Sequence, residues 1–360
     1  MDEERLLNVW DYERAAEERL DAGTFGYIAG GANDEWTMRE NLAAFNRWVL
    51  RPRTLVDVSE VRTAAKVLGT EVALPVLVGP TAFQRMAHPD GERAMARGAA
   101  AAGTVMCLST LATGTIEEVG TAAGDGARWF QLYWSTDRGV VQDLVERAAA
   151  EGYSAVVLTV DLPVLGRRER DLRTGFEIPD DVSVPAFLAL AESVGAVSPV
   201  DINWVVDNSL NWRDLEWLRS VSSLPLVVKG ILTAEDAVLA CKAGAEAVVV
   251  SNHGGRQLDG VAASIDALPE VVEAVGDRAE VLMDGGIRRG TDVVKALAVG
   301  AQAVLVGRAP LYGLAVGGAE GVERVLELLR EELVLALALC GCASPAEVTR
   351  AHIGRASAAP

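Results

Sequence analysis

The sequence predicts a single (β/α)8 barrel, and three observations carry that reading. Eight short apolar runs rich in Val, Leu and Ile recur along the 360 residues, and each is followed by a helical pattern. Strands buried on both faces of a parallel sheet read as such continuous runs rather than as alternation. Strand–helix units repeating every roughly 25–40 residues give parallel strands with right-handed crossovers, and eight of them suit a closed barrel. Nearly every run also ends in polar or glycine residues, on the side where barrel sites are built. The alternative, an open doubly wound sheet, normally carries a Gly-rich phosphate turn after its first strand. Here the first strand ends Gly79-Pro80-Thr81-Ala82, without that spacing.

Taken in order, residues 11–20 read as a helix rich in Glu and Arg, 25–31 as an aromatic, Gly-rich segment, and 34–45 as a second helix. Residues 1–74 show no strand alternation and are read as a helical cap on a barrel spanning 75–345, the chain forming one domain. Strands are expected at 75–78, 105–108, 129–133, 155–159, 225–229, 247–250, 280–283 and 303–306. The helices between them are expected at 91–102, 115–122, 140–150, 234–242, 264–275 and 291–298, with more helix to about 339. About 65 residues separate the fourth and fifth strands, long enough to imply a functional loop. Residues 169–212, with Pro179, Pro185 and Pro199, are read as a lid, and proteolysis is expected to cut first between 171 and 208.

Composition narrows the partners. Half the residues are hydrophobic and 23% charged, as in a globular protein with a large core. The net charge of −18 argues against nucleic acid and anionic membrane, which need a basic face. A small anionic substrate responds only to local charge and is not excluded. The four cysteines include no C-x-x-C pair, which suits reduced thiols in the cytoplasm. Cys340-Gly341-Cys342 has no further ligand at useful spacing, so no metal is expected. The N-terminus is acidic and amphipathic rather than a signal peptide, and the apolar stretch 333–340 is too short to span a bilayer.

The strand ends carry the chemistry. After Ala247–Val250 comes Ser251-Asn252-His253-Gly254-Gly255-Arg256-Gln257-Leu258-Asp259-Gly260, where His253 suits a base and Arg256 a fork for a carboxylate or phosphate. The other ends offer Thr81 and Ala82, Ser109 and Thr110, Gln131 with Tyr133, Thr159 with Asp161, Lys229, Asp284-Gly285-Gly286-Ile287-Arg288, and Gly307-Arg308. The last two are Gly-rich turns leading into helices, which makes a phosphate site. Asp161 beside His253 would orient the ring and favour its charged form. Arg167 and Arg168 adjoin each other, so only one points inward, and spacing does not choose between them. For each of these residues a plain structural role competes: a turn for Asp284, a salt bridge for Lys229, a helix cap for Asp161. His88 and His352, away from Gly-rich strand ends, are read as core or surface histidines.

These motifs resemble one family, the FMN-dependent 2-hydroxy acid oxidases and dehydrogenases, which includes glycolate oxidase, lactate oxidase, flavocytochrome b2, mandelate dehydrogenase and hydroxymandelate oxidase. The resemblance runs from Tyr12 to His352 and centres on the segment from Ser251 to Asp259, with further matches around Gly30, Met86, Phe130, Leu158, Leu165, Val228 and Asp284. It implies oxidation of an (S)-2-hydroxy acid to the 2-oxo acid with FMN as cofactor. By resemblance, His253 is the base paired with Asp161. Arg256, Arg168 and Tyr27 hold the substrate carboxylate, and Tyr133 holds its hydroxyl. Lys229 stands by the N1/O2 edge of the flavin. Ala82, Ser109, Gln131 and Thr159 line its ring, Ser251 and Asp284 hold the ribityl chain, and Gly285, Gly286, Arg288, Gly307 and Arg308 surround the phosphate.

The departures concern the substrate. Leu111 stands where glycolate oxidase has Trp, and Ile28 where it has a second Tyr beside Tyr27. A larger, less polar pocket disfavours glycolate and favours lactate, a longer aliphatic acid or a mandelate-type acid. No cytochrome domain or strongly apolar lid segment is evident, so O2 is the expected acceptor. Gly255 replaces the Ala of several oxidases and leaves open a dehydrogenase passing electrons to a quinone or protein. The family also implies a tetramer or octamer. Two rivals are a flavin-barrel isomerase, which does not need His253, Arg256 and Arg168 together, and a non-catalytic flavin-binding module, which needs none of them.

Overall fold

A computed structural model describes residues 6–179, 182–186 and 206–356. Three helices open the chain: α1 (Val9–Arg19), α2 (Ala22–Ala29) and α3 (Trp36–Ala43). Asn8 caps α1 by accepting the N–H groups of Trp10 and Asp11, and Asp21 caps α2 through Gly23 and Thr24. Helix α2 occupies the aromatic, Gly-rich stretch, whose composition announces no helix. Gly23 and Gly26 lower its intrinsic helicity, but the Asp21 cap and the burial of Thr24, Gly26, Ile28 and Ala29 override propensity.

The expectation of a purely helical cap over 1–74 needs correction. Strand β1 (Trp48–Leu50) pairs with the C-terminal β12 (Ile353–Arg355), and β2 (Ala65–Val67) forms a hairpin with β3 (Thr70–Val72). Three-residue strands are too short to display alternation. The hairpin buries Val67 and Val72 against Leu77, Val105, Trp129, Val227 and Leu282 inside the barrel. The Leu68 N–H donates to the Glu280 carboxylate at the start of a barrel strand, so the hairpin plugs the N-terminal mouth.

Eight parallel strands close the barrel: β4 (Val76–Val78), β5 (Met106–Leu108), β6 (Arg128–Leu132), β7 (Val156–Thr159), β8 (Leu226–Ile231), β9 (Ala247–Val250), β10 (Glu280–Asp284) and β11 (Ala303–Val306), with β11 returning to β4. Side chains alternate between two cores. Leu77, Cys107, Trp129, Val157, Val249 and Leu305 fill the interior, while Val76, Val78, Met106, Phe130 and Val248 face the outer helices. The third strand stops at Leu132, leaving Tyr133 just past its end, and the fifth runs past Lys229 to Ile231. Its irregularity falls at Gly230, whose φ is 111°, and a Cβ there would lie 2.7 Å from the Asp161 Cβ. Glycine at this point lets the Asp161 side chain pack directly on the strand end.

The outer layer is α4 (Gly91–Ala101), α5 (Ile116–Ala123), α6 (Arg138–Ala150), α7 (Glu169–Thr174), α8 (Asp214–Val221), α9 (Ala234–Lys242), α10 (Ser264–Val275), α11 (Gly290–Val299) and α12 (Arg308–Cys340), the last interrupted at Gly317 and Gly318. Of the expected lid, residues 169–179 form α7 and a following segment packed on α2, while 180–181 and 187–205 lie outside the described residues. Among the described residues no helix is long and apolar enough to cross a membrane, and no cluster suits a metal ion.

Candidate active site

A cavity of ≈ 310 Å³ lies over the C-terminal strand ends, and all eight contribute to its wall: Gly79, Ser109, Tyr133, Thr159, Lys229, His253, Asp284 and Gly307. Barrel closure brings together residues up to about 230 apart in sequence at the face where barrel sites form.

His253 follows β9 in a left-handed backbone conformation, φ 58°, that is costly for a non-glycine residue. Its neighbours hold it there. The His253 N–H donates to Ser251 Oγ at 3.0 Å, and the Asn252 side chain accepts the Gly255 N–H at 3.1 Å. Asn252 also exchanges two 2.8 Å amide hydrogen bonds with Asn41 of α3. The ring's Nδ1 stands 2.7 Å from Asp161 Oδ1. A carboxylate only accepts, so Nδ1 carries the proton and Nε2 keeps its lone pair. Burial pushes the His253 pKa below the ordinary imidazole value; Lys229 reinforces this and Asp161 opposes it. Burial disfavours charge on Asp161 too, but His253 and Lys229 outweigh it and hold the carboxyl below its usual range. The result at neutral pH is a neutral imidazole oriented by an ionised carboxylate.

Beside this pair lies a cationic group. Arg256 donates through Nη1 to the carbonyls of Tyr27 at 2.6 Å and Gly30 at 2.9 Å, and its guanidinium sits 4.8 Å from the Tyr27 ring centroid. Arg168 lines the cavity 5.8 Å from the same ring, with its buried Nε lacking a hydrogen-bond partner. Arg167 is exposed, so the structure settles the choice that spacing left open. Burial, then the neighbouring Arg168, lowers the Arg256 pKa, which marks a site wanting an anion. Phe176 stacks on Tyr27 at 4.7 Å, and Arg170 of α7 bonds Glu35 at 2.7 Å, tying the first part of the lid region to the N-terminal helices.

The opposite side fits a flavin nucleotide. Lys229, 4% exposed, donates to Ser251 Oγ at 3.0 Å and pairs with Asp284 Oδ2 at 3.3 Å. Burial opposes its charge, but Asp284 and Asp161 overcome it and hold the ammonium above the usual lysine range. Gln131 Oε1 accepts from Ser109 Oγ at 3.1 Å and the Thr110 N–H at 3.2 Å. Gln131 Nε2, Thr159 Oγ1, Asp284 Oδ1 and Arg288 Nε are buried without a protein partner. Buried polar atoms of this kind are normally satisfied, so three on residues lining one cavity, with Gln131 bonded to the lining Ser109, call for a polar ligand. They suit the donor–acceptor edge of an isoalloxazine ring and a polyol chain. Gly285 and Gly286 have φ of 91° and 83°, and a Cβ on Gly286 would meet the Asn41 carbonyl at 2.0 Å. Gly307 precedes the N-terminus of α12, where helix N–H groups favour phosphate.

Several contacts escaped the sequence reading. Arg308 lines the cavity but directs three donors to the carbonyls of Ile28 (3.1 Å), Gly254 (3.0 Å) and Gly30 (2.7 Å), joining the end of α2 to the His253 turn. Phe83, Leu162, Asp171, Phe176 and Ile178 also line the cavity. Leu162 adjoins Asp161 in sequence and was open to notice; Phe83, Phe176 and Ile178 lie in loops, and Asp171 on the short α7, whose folding over the barrel no local pattern announces.

Residues 16–355 match the model of the FMN-dependent dehydrogenase family. The chain is 49% identical over 353 residues to glycolate oxidase 1 of Oryza sativa subsp. japonica, covering 97% of this chain and 95% of that protein. It is 52% identical over 345 residues to L-lactate oxidase of Nostoc sp. (strain PCC 7120 / SAG 25.82 / UTEX 2576), covering 93% and 94%. Similar solved structures include mandelate oxidase with 3,3-difluoro-2-hydroxy-3-phenylpropionic acid, at TM-score 0.89 and 42% identity over 98% of this chain and 100% of that one. A mutant of an active chimera of (S)-mandelate dehydrogenase superposes at TM-score 0.93 with 40% identity, over 98% and 100%. On a match over nearly its whole length, the chain belongs to the FMN-dependent dehydrogenase family and catalyses the FMN-dependent oxidation of 2-hydroxy acids.

Proposed function

We propose that the substrate is an (S)-2-hydroxy acid larger than glycolate, either lactate, a longer aliphatic acid or a mandelate-type aromatic acid, and that O2 takes up the electrons to give H2O2. The observation that carries the substrate reading is an apolar wall. Leu111, 4% exposed, packs with Tyr133, Leu162 and Val184, flanked by Ala82 and Phe83. Ile28 lines the same cavity. A methyl or phenyl group gains from leaving water against such a wall, whereas glycolate has no side chain to bury there. The oxidase names of the relatives support O2 as acceptor. Gly255 does not favour a dehydrogenase, because packing accounts for it: a Cβ would press on the Met38 backbone N at 2.5 Å.

The residues divide the work as follows. Arg256 and Arg168 form the clamp for the substrate carboxylate, with the Tyr27 hydroxyl beside them. Tyr133, whose phenol burial keeps protonated, donates to the substrate oxygen. This fixes the α-carbon against His253, whose free Nε2 removes a proton from the substrate. Asp161 then stabilises the imidazolium. FMN, when bound, accepts the two electrons of the alcohol. Lys229 supplies a fixed cation beside Ser251 and Asp284, where negative charge on the reduced cofactor would be stabilised. Gln131, Thr159 and Ser109 would hold the ring, Ser251 and Asp284 the ribityl chain, and Gly286, Arg288, Gly307 and Arg308 the phosphate region.

The test is an anaerobic titration of the FMN-loaded protein with glycolate, (S)-lactate and (S)-mandelate, followed by admission of O2 with H2O2 measured. Flavin bleaching with kcat/KM highest for lactate or mandelate is expected. A glycolate kcat/KM above both would overturn the substrate reading, and reduced flavin stable in air would overturn O2 as acceptor.

A further inference from the structure

Away from the reacting groups, one buried carboxylate has three donors aimed at it. Glu92 sits in the first turn of α4 and is 1% exposed. Its Oε1 accepts the Gln84 N–H at 3.1 Å and the Thr113 N–H at 3.0 Å, and its Oε2 accepts the Thr113 hydroxyl. Gln84 belongs to the loop after β4, and Thr113 to the loop after β5. Burial raises the carboxyl pKa, and the Thr113 and Gln84 donors oppose that rise. Among the described residues it forms no ion pair. A carboxylate in such a place is costly compared with an apolar side chain of similar size.

What it joins explains the arrangement. Gln84 directly follows Ala82 and Phe83, and Thr113 follows Leu111 by two residues; all three of these neighbours line the cavity. The Phe83 N–H donates to the Leu111 carbonyl at 3.1 Å, and the Arg85 N–H to Thr113 Oγ1 at 3.3 Å. Gln84 Nε2 continues the network to Thr81 Oγ1 at 3.0 Å. Phe83 adopts φ 55°, a left-handed conformation that needs surrounding restraint. The Glu92 carboxylate bonds both loops at once, on the side of the loops away from the cavity.

We propose that Glu92 is a positioning residue for substrate selection: it holds the two loops in register so that Ala82, Phe83 and Leu111 form one wall for the substrate side chain. This rests on the reading of that wall as the side-chain subsite. Glutamate suits the task because it offers acceptors only, and all three facing groups are donors. The Glu92→Leu change leaves those donors unpaired and frees the loops. Glu92→Gln keeps one acceptor oxygen, and Thr113→Val removes only the hydroxyl.

The experiment measures kcat/KM for glycolate and for the best acid of the panel with the wild-type holoenzyme and these three variants, normalised to bound FMN. The expected result is a fall of at least tenfold in the best-acid-to-glycolate ratio for Glu92→Leu and a smaller fall, two- to fivefold, for Glu92→Gln and Thr113→Val. A merely structural loss lowers the active fraction and leaves that ratio unchanged. Ratios within twofold of wild type in the variants that fold overturn the proposal, and the two milder substitutions keep it testable if Glu92→Leu does not fold. If glycolate proves the best acid of the wild type, the substrate reading fails. The role of Glu92 is then judged separately, from the lactate-to-glycolate ratio across the same variants under the same thresholds.

Discussion

His253 Nδ1 and Asp161 Oδ1 stand 2.7 Å apart although 92 residues separate them. Gly230, on the strand between theirs, makes the approach possible by carrying no Cβ. The contact fixes the tautomer of His253 and so the direction in which its lone pair points.

Removing the base should stop turnover with the cofactor still bound. His253→Gln is expected to lower the anaerobic flavin-reduction rate by about 10²–10⁴, the usual worth of a positioned general base. Stopped-flow reduction checks this, with the flavin spectrum as the control for binding. A reduction rate within tenfold of wild type would remove His253 from the base role.

The pH profile follows from the shift of His253. The base works only when neutral, and burial with Lys229 nearby pushes its pKa below the ordinary 6.5. The acid limb of kcat/KM should therefore lie below pH 6.5 rather than above it. Asp161→Asn removes a charge that favours the imidazolium, so the limb should move further toward acid while the plateau falls. A limb moving toward higher pH in that variant would contradict the pairing.

Arg256→Lys keeps the charge but loses the fork. KM for the 2-hydroxy acid is expected to rise by about tenfold or more, since an ammonium does not reproduce two parallel bonds to a carboxylate. Steady-state kinetics at saturating O2 decides this; an unchanged KM would place the carboxylate elsewhere.

Lys229→Met leaves the partly buried Asp284 carboxylate without its 3.3 Å partner. Breaking such a pair costs about 3–5 kcal/mol. The variant should melt lower and retain FMN less tightly, both measurable by fluorescence during a thermal ramp. Wild-type melting and FMN retention would show that the ammonium is dispensable.

Leu111→Trp fills the apolar wall. Mandelate turnover should fall by about tenfold or more from overpacking while glycolate is affected less. A uniform loss for all acids would show that Leu111 does not face the substrate side chain.

Much of this molecule was legible before folding. The eight apolar runs placed the strands to within a residue or two, because a strand buried on both faces has no choice but to be apolar throughout. The candidate site residues were legible because polar groups at the end of an apolar strand have no packing reason to be there. The β2–β3 plug was not, since three residues show no period. Helix α2 was not, since its glycines argue against it and only burial argues for it. Glu92 was not, since a glutamate in the first turn of a helix reads as a solvated, dipole-favoured residue.

The sequence by itself determined the fold class and which polar residues stand at the strand ends, among them the proposed pair His253 and Asp161 and the proposed cofactor contacts, because those depend on residue type at strand ends. Spacing left Arg167 and Arg168 equal and resemblance pointed to Arg168, which the fold places in the cavity; tertiary structure alone decided where three Arg308 donors go and which loops close the proposed substrate wall. These outcomes depend on the direction of side chains after the barrel closes. Closure is a long-range condition that no local stretch of chain records.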